Sequence, residues 1–386
     1  ILSPELYDNV KQDKIVPVVT DYDKDGNPFL PSFLKGRLYI DISGRNGTDG
    51  FEELLRFLFD KPIHKAPAIG SPPSFILNDS SSVSPVSTSS SLDFLRESLF
   101  SGTDAGYFHL SDFLDEYLQY FEQQKITGTK DWSMELVQEK TDQSLEYKDQ
   151  FCEMIMLLVR FNKIEMFEEF FVFFEKALSV ITTPLGEGSY KAQYDNLKFM
   201  LYEIFLNLIT ILIKAKLYGI ANRLLTKSFF VKTALEKKNK SFLCFEGYFA
   251  ALEEGREGTD YENKLSVTAT LVHERFNLKG HTFEDLMLAD YICWWRVGTK
   301  GYRWFPRTLV YIDDNFEPKL DFFIRAESLE FFNGSLELLG ARSIEEYKDK
   351  WSSLTDDELN QYRFTRGWGS LPLKSLTNLE KLGTLV

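Results

Sequence analysis

Among the side chains whose types and spacing could do chemistry, His273-Glu274-Arg275-Phe276-Asn277 opens like the zinc helix motif. That motif needs two histidines four residues apart on one helix face. Here the fifth position is Asn277, so one ligand is missing and no zinc is expected. Asp21-Tyr22-Asp23-Lys24-Asp25-Gly26 opens like a calcium loop, but its twelfth position is Ser32 rather than Glu, and Pro28 and Pro31 fall inside it. A solvated turn is the expected structure there. Trp294, Trp295 and Trp304 lie among Arg296, Arg303 and Arg307. Such a set is commonly an aromatic core with solvated arginines. Turned outward, it would be an aromatic–cation surface for a nucleotide or peptide, with Trp294, Trp295 and Arg303 as the ligand-binding candidates. His64, His109, His273 and His281 do not cluster, and the chain has no phosphate loop, nucleophile elbow or paired-cysteine site. No metal is expected.

The elements that must position any site begin with residues 14–62. Lys-Ile-Val-Pro-Val-Val (14–19) and Arg-Leu-Tyr-Ile-Asp-Ile (37–42) are β-rich runs bounded by turn residues, as in buried strands of a parallel sheet. Phe51, Leu54, Leu55 and Leu58 follow at helical spacing, so a helix is expected against that sheet, with Pro62 ending it. Ser3-Pro4-Glu5 reads as the cap, first residue and first-turn acid of a preceding helix over roughly 2–11.

The run "KIVPVV", a Pro-containing connector, "LKGRLYIDIS" and "FEELLRFLFDKP" together resemble the C-terminal half of a bacterial TIR or SEFIR domain, over about the first 70 residues. The resemblance implies a partial flavodoxin-type α/β fold. It also implies cleavage of NAD, as substrate, at the nicotinamide–ribose bond. In that family a Glu on the helix before the "IVPV" strand is the key residue. A carboxylate there orients the ribose and stabilises the positive charge that grows on it as the bond breaks. Glu5, the one acid near the start of that helix, is the candidate within this chain, with a first-turn carboxylate as its alternative role; the family's Glu stands further before the strand, so the main catalytic Glu is expected just upstream of Ile1. The resemblance further implies a bacterial anti-phage immune effector that works as a homo-oligomer or filament, switched on by a phage-derived or nucleotide trigger. A non-enzymatic adaptor that only stacks with partner domains is the alternative.

The remainder of the chain is expected to be a larger, mainly α-helical region with a few strands. Residues 71–91, rich in Pro and then Ser, read as a linker between a domain over 1–70 and one beginning at Leu92. Helical periodicity fills 92–258, including a Phe-rich helix with Phe167, Phe170, Phe171, Phe173 and Phe174. A mixed, mostly helical region is expected over 259–386, with 304–313 as a strand and 265–272 as a strand or a helix. The most apolar run, 197–213, contains Glu203 and Asn207 and reads as a buried core helix rather than a membrane span. A net charge of −14 argues against general nucleic-acid binding. Three well-separated cysteines, Cys152, Cys244 and Cys293, fit a reduced, cytoplasmic protein.

Overall fold

The structure is a computed structural model that describes residues 16–31, 34, 38–44, 47–59, 85–126, 133–182, 192, 194–233, 237–298, 304–312, 319–363 and 370–385. The chain divides into two compact units, residues 1–72 and 73–386. Glu5, the expected helix over 2–11, Pro62, Arg303 and residues 71–84 of the expected linker lie outside the described residues.

In the first unit β1 (Val18–Val19) pairs parallel with β2 (Ile40–Asp41). Ile40 N donates to Pro17 O and Ile42 N to Val19 O, both at 2.9 Å. Val19 and Ile40 face inward. The connector 20–31 is ordered by Asp23, whose carboxylate accepts from Asp25 N at 2.9 Å and Asn27 N at 2.8 Å. The calcium-like Asp run is therefore a self-bonded turn, as its prolines implied.

Helix α1 (Gly47–Leu58) follows β2, starting four residues before Phe51, the first residue of the expected apolar spacing. Its approach to β2 runs through Gly50, where a Cβ would stand 1.7 Å from the Asp41 carbonyl oxygen. The expected apolar seam is corrected: Phe51, Leu55 and Leu58 are exposed and Leu54 is half-buried. Close backbone contact needs the face without a side chain, so that face meets the strand and the stripe is left outside.

The second unit opens with α2 (Pro85–Ser101) and α3 (Gly106–Gln123). The serine run over 85–91, expected as flexible linker, is the first two turns of α2. Two hydroxyls there have inward partners: Thr88 Oγ1 donates to Gln150 at 2.6 Å and Ser91 Oγ to Glu116 at 2.9 Å. Composition alone does not reveal such partners.

Next come α4 (Met134–Gln143), capped by Ser133, then α5 (Leu145–Arg160) and α6 (Glu168–Thr182). All five phenylalanines of the expected stripe are buried, and Phe174 meets Phe245 at 4.9 Å. The central element is α7 (Asp195–Lys214). Among the described residues it is the one helix long and apolar enough to cross a membrane, and 94% of its apolar window is buried inside the protein. It packs against α4, α5 and later helices as a core helix.

Helix α8 (Tyr218–Thr226) stops early. Phe229–Lys232 then forms β3, antiparallel to β4 (Lys237–Lys240), where helix had been expected. The alternation explains this, because Phe229 and Val231 are buried on α6 while Phe230 and Lys232 face out.

The expected helix over 241–254 is a 3-10 turn, Phe242–Phe245, followed by the short α9 (Ala250–Glu254). Residues 265–272 resolve as helix: Ser266 caps α10 (Val267–Glu274), followed by α11 (Phe283–Val297) with a Thr282/Asp285 capping box. The expected strand over 304–313 is a 3-10 turn, Arg307–Tyr311. Two helices follow, α12 (Asp321–Arg325) and α13 (Leu329–Leu339), separated because Ser328 caps a new start. Then come α14 (Ile344–Ser352) and the short α15 (Asp356–Leu359). One hydrophobic core runs from Leu92 to Leu382, so the expected border at 258/259 falls inside it.

Gly50 generates a direct expectation. Gly50→Ala would force α1 off β2 at a cost of about 1–3 kcal/mol. Hydrogen exchange of amides over 38–58 should then rise about ten-fold or more, with exchange in the second unit unchanged. Unchanged exchange over 38–58 would contradict the contact.

Candidate functional site

In open parallel sheets ligands bind beyond the carboxyl ends of the strands. At that edge of the β1–β2 pair stand Tyr22, just past β1, and Asp41, the last residue of β2. The Tyr22 hydroxyl donates to Asp41 Oδ2 at 2.8 Å, and Ser43 N donates to Asp41 Oδ1 at 2.9 Å. Hydrogen bonds to Tyr39 and then to Asp41 push the Tyr22 phenol above its ordinary pKa, so it stays protonated. Ser43 is 4% exposed, and its hydroxyl has no hydrogen-bond partner among the described residues. A carboxylate, a phenol and a hydroxyl at this edge can bind the vicinal hydroxyls of a sugar. Sequence reasoning passed over all three. The signal was the one acid in an otherwise β-rich run, Asp41, two residues before Ser43-Gly44.

The residues singled out from sequence fare differently. Glu5 and Arg303 lie outside the described residues. Trp294 and Trp295 are each 1% exposed, which corrects their reading as a ligand surface. Trp295 Nε1 donates to Leu339 O at 2.8 Å, and its ring stacks on Trp351 at 5.0 Å. The neighbouring arginines are turned to backbone: Arg296 donates to Leu338 O at 2.9 Å and Arg307 to Gly247 O at 3.0 Å. The physical reason is that α11 is apolar nearly all round, so it lies in the core. Trp304 is buried as well, with Nε1 donating to Asp290 Oδ1 at 2.6 Å.

The zinc-like stretch also takes a structural role. His273 is exposed and stacks on Tyr311 at 4.2 Å. Arg275, which sequence reasoning ignored, is buried and forms a two-pronged pair with Glu203, with both N–O distances 2.9 Å. Cys152 and Cys293 are buried and Cys244 is half-buried; all three are free thiols. Burial pushes Cys152 and Cys244 up to about 12 and Cys293 well above its ordinary range, so none is an activated nucleophile. Glu135, Glu139, Asp142, Glu146, Asp149 and Glu153 line a groove of about 890 Å3 along α4 and α5, a face that repels a phosphate backbone. No family model, curated protein or solved structure matches this chain.

Asp290 is the second buried carboxylate of consequence. It is fully buried and accepts from Trp304 Nε1, Thr308 N and Thr308 Oγ1, drawing the 304–311 segment onto α11. Burial pushes its carboxyl up to about 6 from 3.8, against the lowering effect of those hydrogen bonds. The folded state therefore holds this proton more tightly than the unfolded chain. The resulting stability is present in full below about pH 4 and is lost as pH rises through about 6. The span corresponds to roughly 3 kcal/mol. Chemical denaturation of the wild type and of Asp290→Asn should show their stability difference shifting against the wild type between those limits and flat above them. A pH-independent difference would contradict the assignment.

Proposed function

We propose that the first unit is the closing half of a TIR/SEFIR-type domain that cleaves NAD, in a cytoplasmic effector of bacterial anti-phage immunity. The reading is carried by one observation: a parallel β1–β2 pair followed by a helix, with Asp41 and Tyr22 together at its carboxyl edge. In this reading the Asp41 carboxylate and the Tyr22 hydroxyl oxygen, whose one proton is held by Asp41, accept from the ribose hydroxyls. A Glu preceding β1 in the chain, for which Glu5 is the candidate, would supply the carboxylate that stabilises the positive charge developing on the ribose. No metal takes part. The helical second unit assembles copies into an oligomer or filament once a phage-derived or nucleotide trigger is present.

The non-enzymatic adaptor has its own supporting observation. Leu38, Phe57, Leu58 and Phe59 are all exposed in the first unit, an apolar set suited to stacking against another domain. One assay separates the two readings. NAD consumption by the full-length protein, measured dilute and then concentrated, should appear only with assembly. Asp41→Ala should lower the assembled rate about ten-fold or more, as expected when an orienting carboxylate is lost. NAD left intact by assembled protein would replace the effector with the adaptor.

A further inference from the structure

A pocket of about 310 Å3 opens where the end of α7 and the start of α8 meet α11, α12 and α13. That volume is at the small end of ligand sites. Its floor is apolar and buried: Ile213, Leu288, Leu320 and Phe322 are each at most 6% exposed. Six charged side chains form its wall, three of each sign, and half of them are already engaged. Lys214 pairs with Asp285 at 2.9 Å, and Asp285 also closes the capping box at Thr282. Glu284 accepts from Asp321 N at 2.8 Å.

The charges left over are Lys216, Arg325 and the Asp321 carboxylate. Lys216 and Arg325 are exposed and have no ion-pair partner among the described residues. Lys216 sits in the left-handed turn that ends α7, at φ 59°, which fixes where its side chain leaves the backbone. Tyr218 is half-buried in the same wall, and its hydroxyl has no partner among the described residues. A guanidinium, an ammonium and a free hydroxyl thus stand around an apolar floor and outnumber the one unengaged carboxylate, Asp321, a donor set suited to a single oxyanion.

We infer that this pocket binds a small organic anion. Its planar apolar body would rest on Leu288, Leu320 and Phe322, and its one acidic group would be held by Arg325, Lys216 and the Tyr218 hydroxyl. The inference goes beyond NAD cleavage and is independent of it, because its readout contains no NAD. The buried Trp294 and Trp295 are not involved.

Anilinonaphthalene sulfonate, an apolar ring system with one sulfonate, is the probe. Titrated by fluorescence into the whole chain, it should bind saturably at one site. Arg325→Glu and Lys216→Glu should each weaken it about five-fold or more, Tyr218→Phe less, and Arg325→Lys should stay within about two-fold. Lys163→Glu, which lies outside the pocket, should leave affinity unchanged. The altered charges are exposed, so melting temperature should hold in every variant. Absence of saturable binding would overturn the proposal, as would equal affinity in wild type, Arg325→Glu and Lys216→Glu.

Discussion

A guanidinium taken out of water needs an acceptor for nearly every N–H it carries, and Arg275 finds its acceptors on elements far apart in the chain. Nε and one terminal nitrogen grip both oxygens of Glu203 in the middle of α7. The other terminal nitrogen reaches Thr141 O, one of the last carbonyls of α4, at 2.8 Å. Ser144 Oγ, at the joint between α4 and α5, accepts at 3.3 Å from the terminal nitrogen that also holds Glu203, and Lys148 of α5 donates to the Arg275 carbonyl at 2.7 Å. One residue at the end of α10 thereby ties α4, α5 and α7 together. Burial opposes the arginine's charge, and Glu203 with Asp142 more than restores it. The apolar core supplies the larger share of the driving force, roughly 1.5–3 kcal/mol for each fully buried large side chain. The pair decides which arrangement of those helices is accepted, because a slipped helix would strand a buried charge.

The same logic recurs at Asp290, where a buried carboxylate turns an apolar segment that sequence reads as a strand into a 3-10 turn seated on α11. In both places a charged group in the core collects N–H or C=O groups from elements that apolar packing alone would leave free to slide. Trp294, Trp295 and Trp304 lie within that packing, which closes them off as a ligand surface. Among the described residues, open chemistry is left at the carboxyl ends of β1 and β2 in the first unit and, in the second, at the pocket wall beside α12 where Lys216, Arg325 and the Asp321 carboxylate are unengaged.

How far the sequence could reveal this follows from the range of each interaction. A parallel contact between the two β-rich runs was legible from β-branched residues bounded by turn formers, but only Val18–Val19 and Ile40–Asp41 pair, and Val18, Leu38 and Tyr39 are exposed where buried strands had been expected. The core helix α7 was legible from its apolar length, and the Phe stripe of α6 from helical spacing. The helical start at Pro85 was hidden because serine-rich composition looks flexible until Gln150 and Glu116 supply partners for its hydroxyls. Strand β3 was hidden inside a helical context, and its inward alternation spans only four residues. Arg275 was invisible for the clearest reason: its partner Glu203 is 72 residues away. Asp41 and Tyr22 are 19 residues apart and meet only once the strands pair.

The central claim is that the Arg275–Glu203 pair sets the packing of the helical unit, and a double-mutant cycle read by urea denaturation tests it most directly. Arg275→Met and Glu203→Leu should each cost about 3–5 kcal/mol, because each leaves the other charge buried without its partner. The double variant should cost clearly less than the sum, and less than either single change, because no charge is then stranded. Two small, additive single effects would contradict the account and leave apolar packing alone to hold these helices in place.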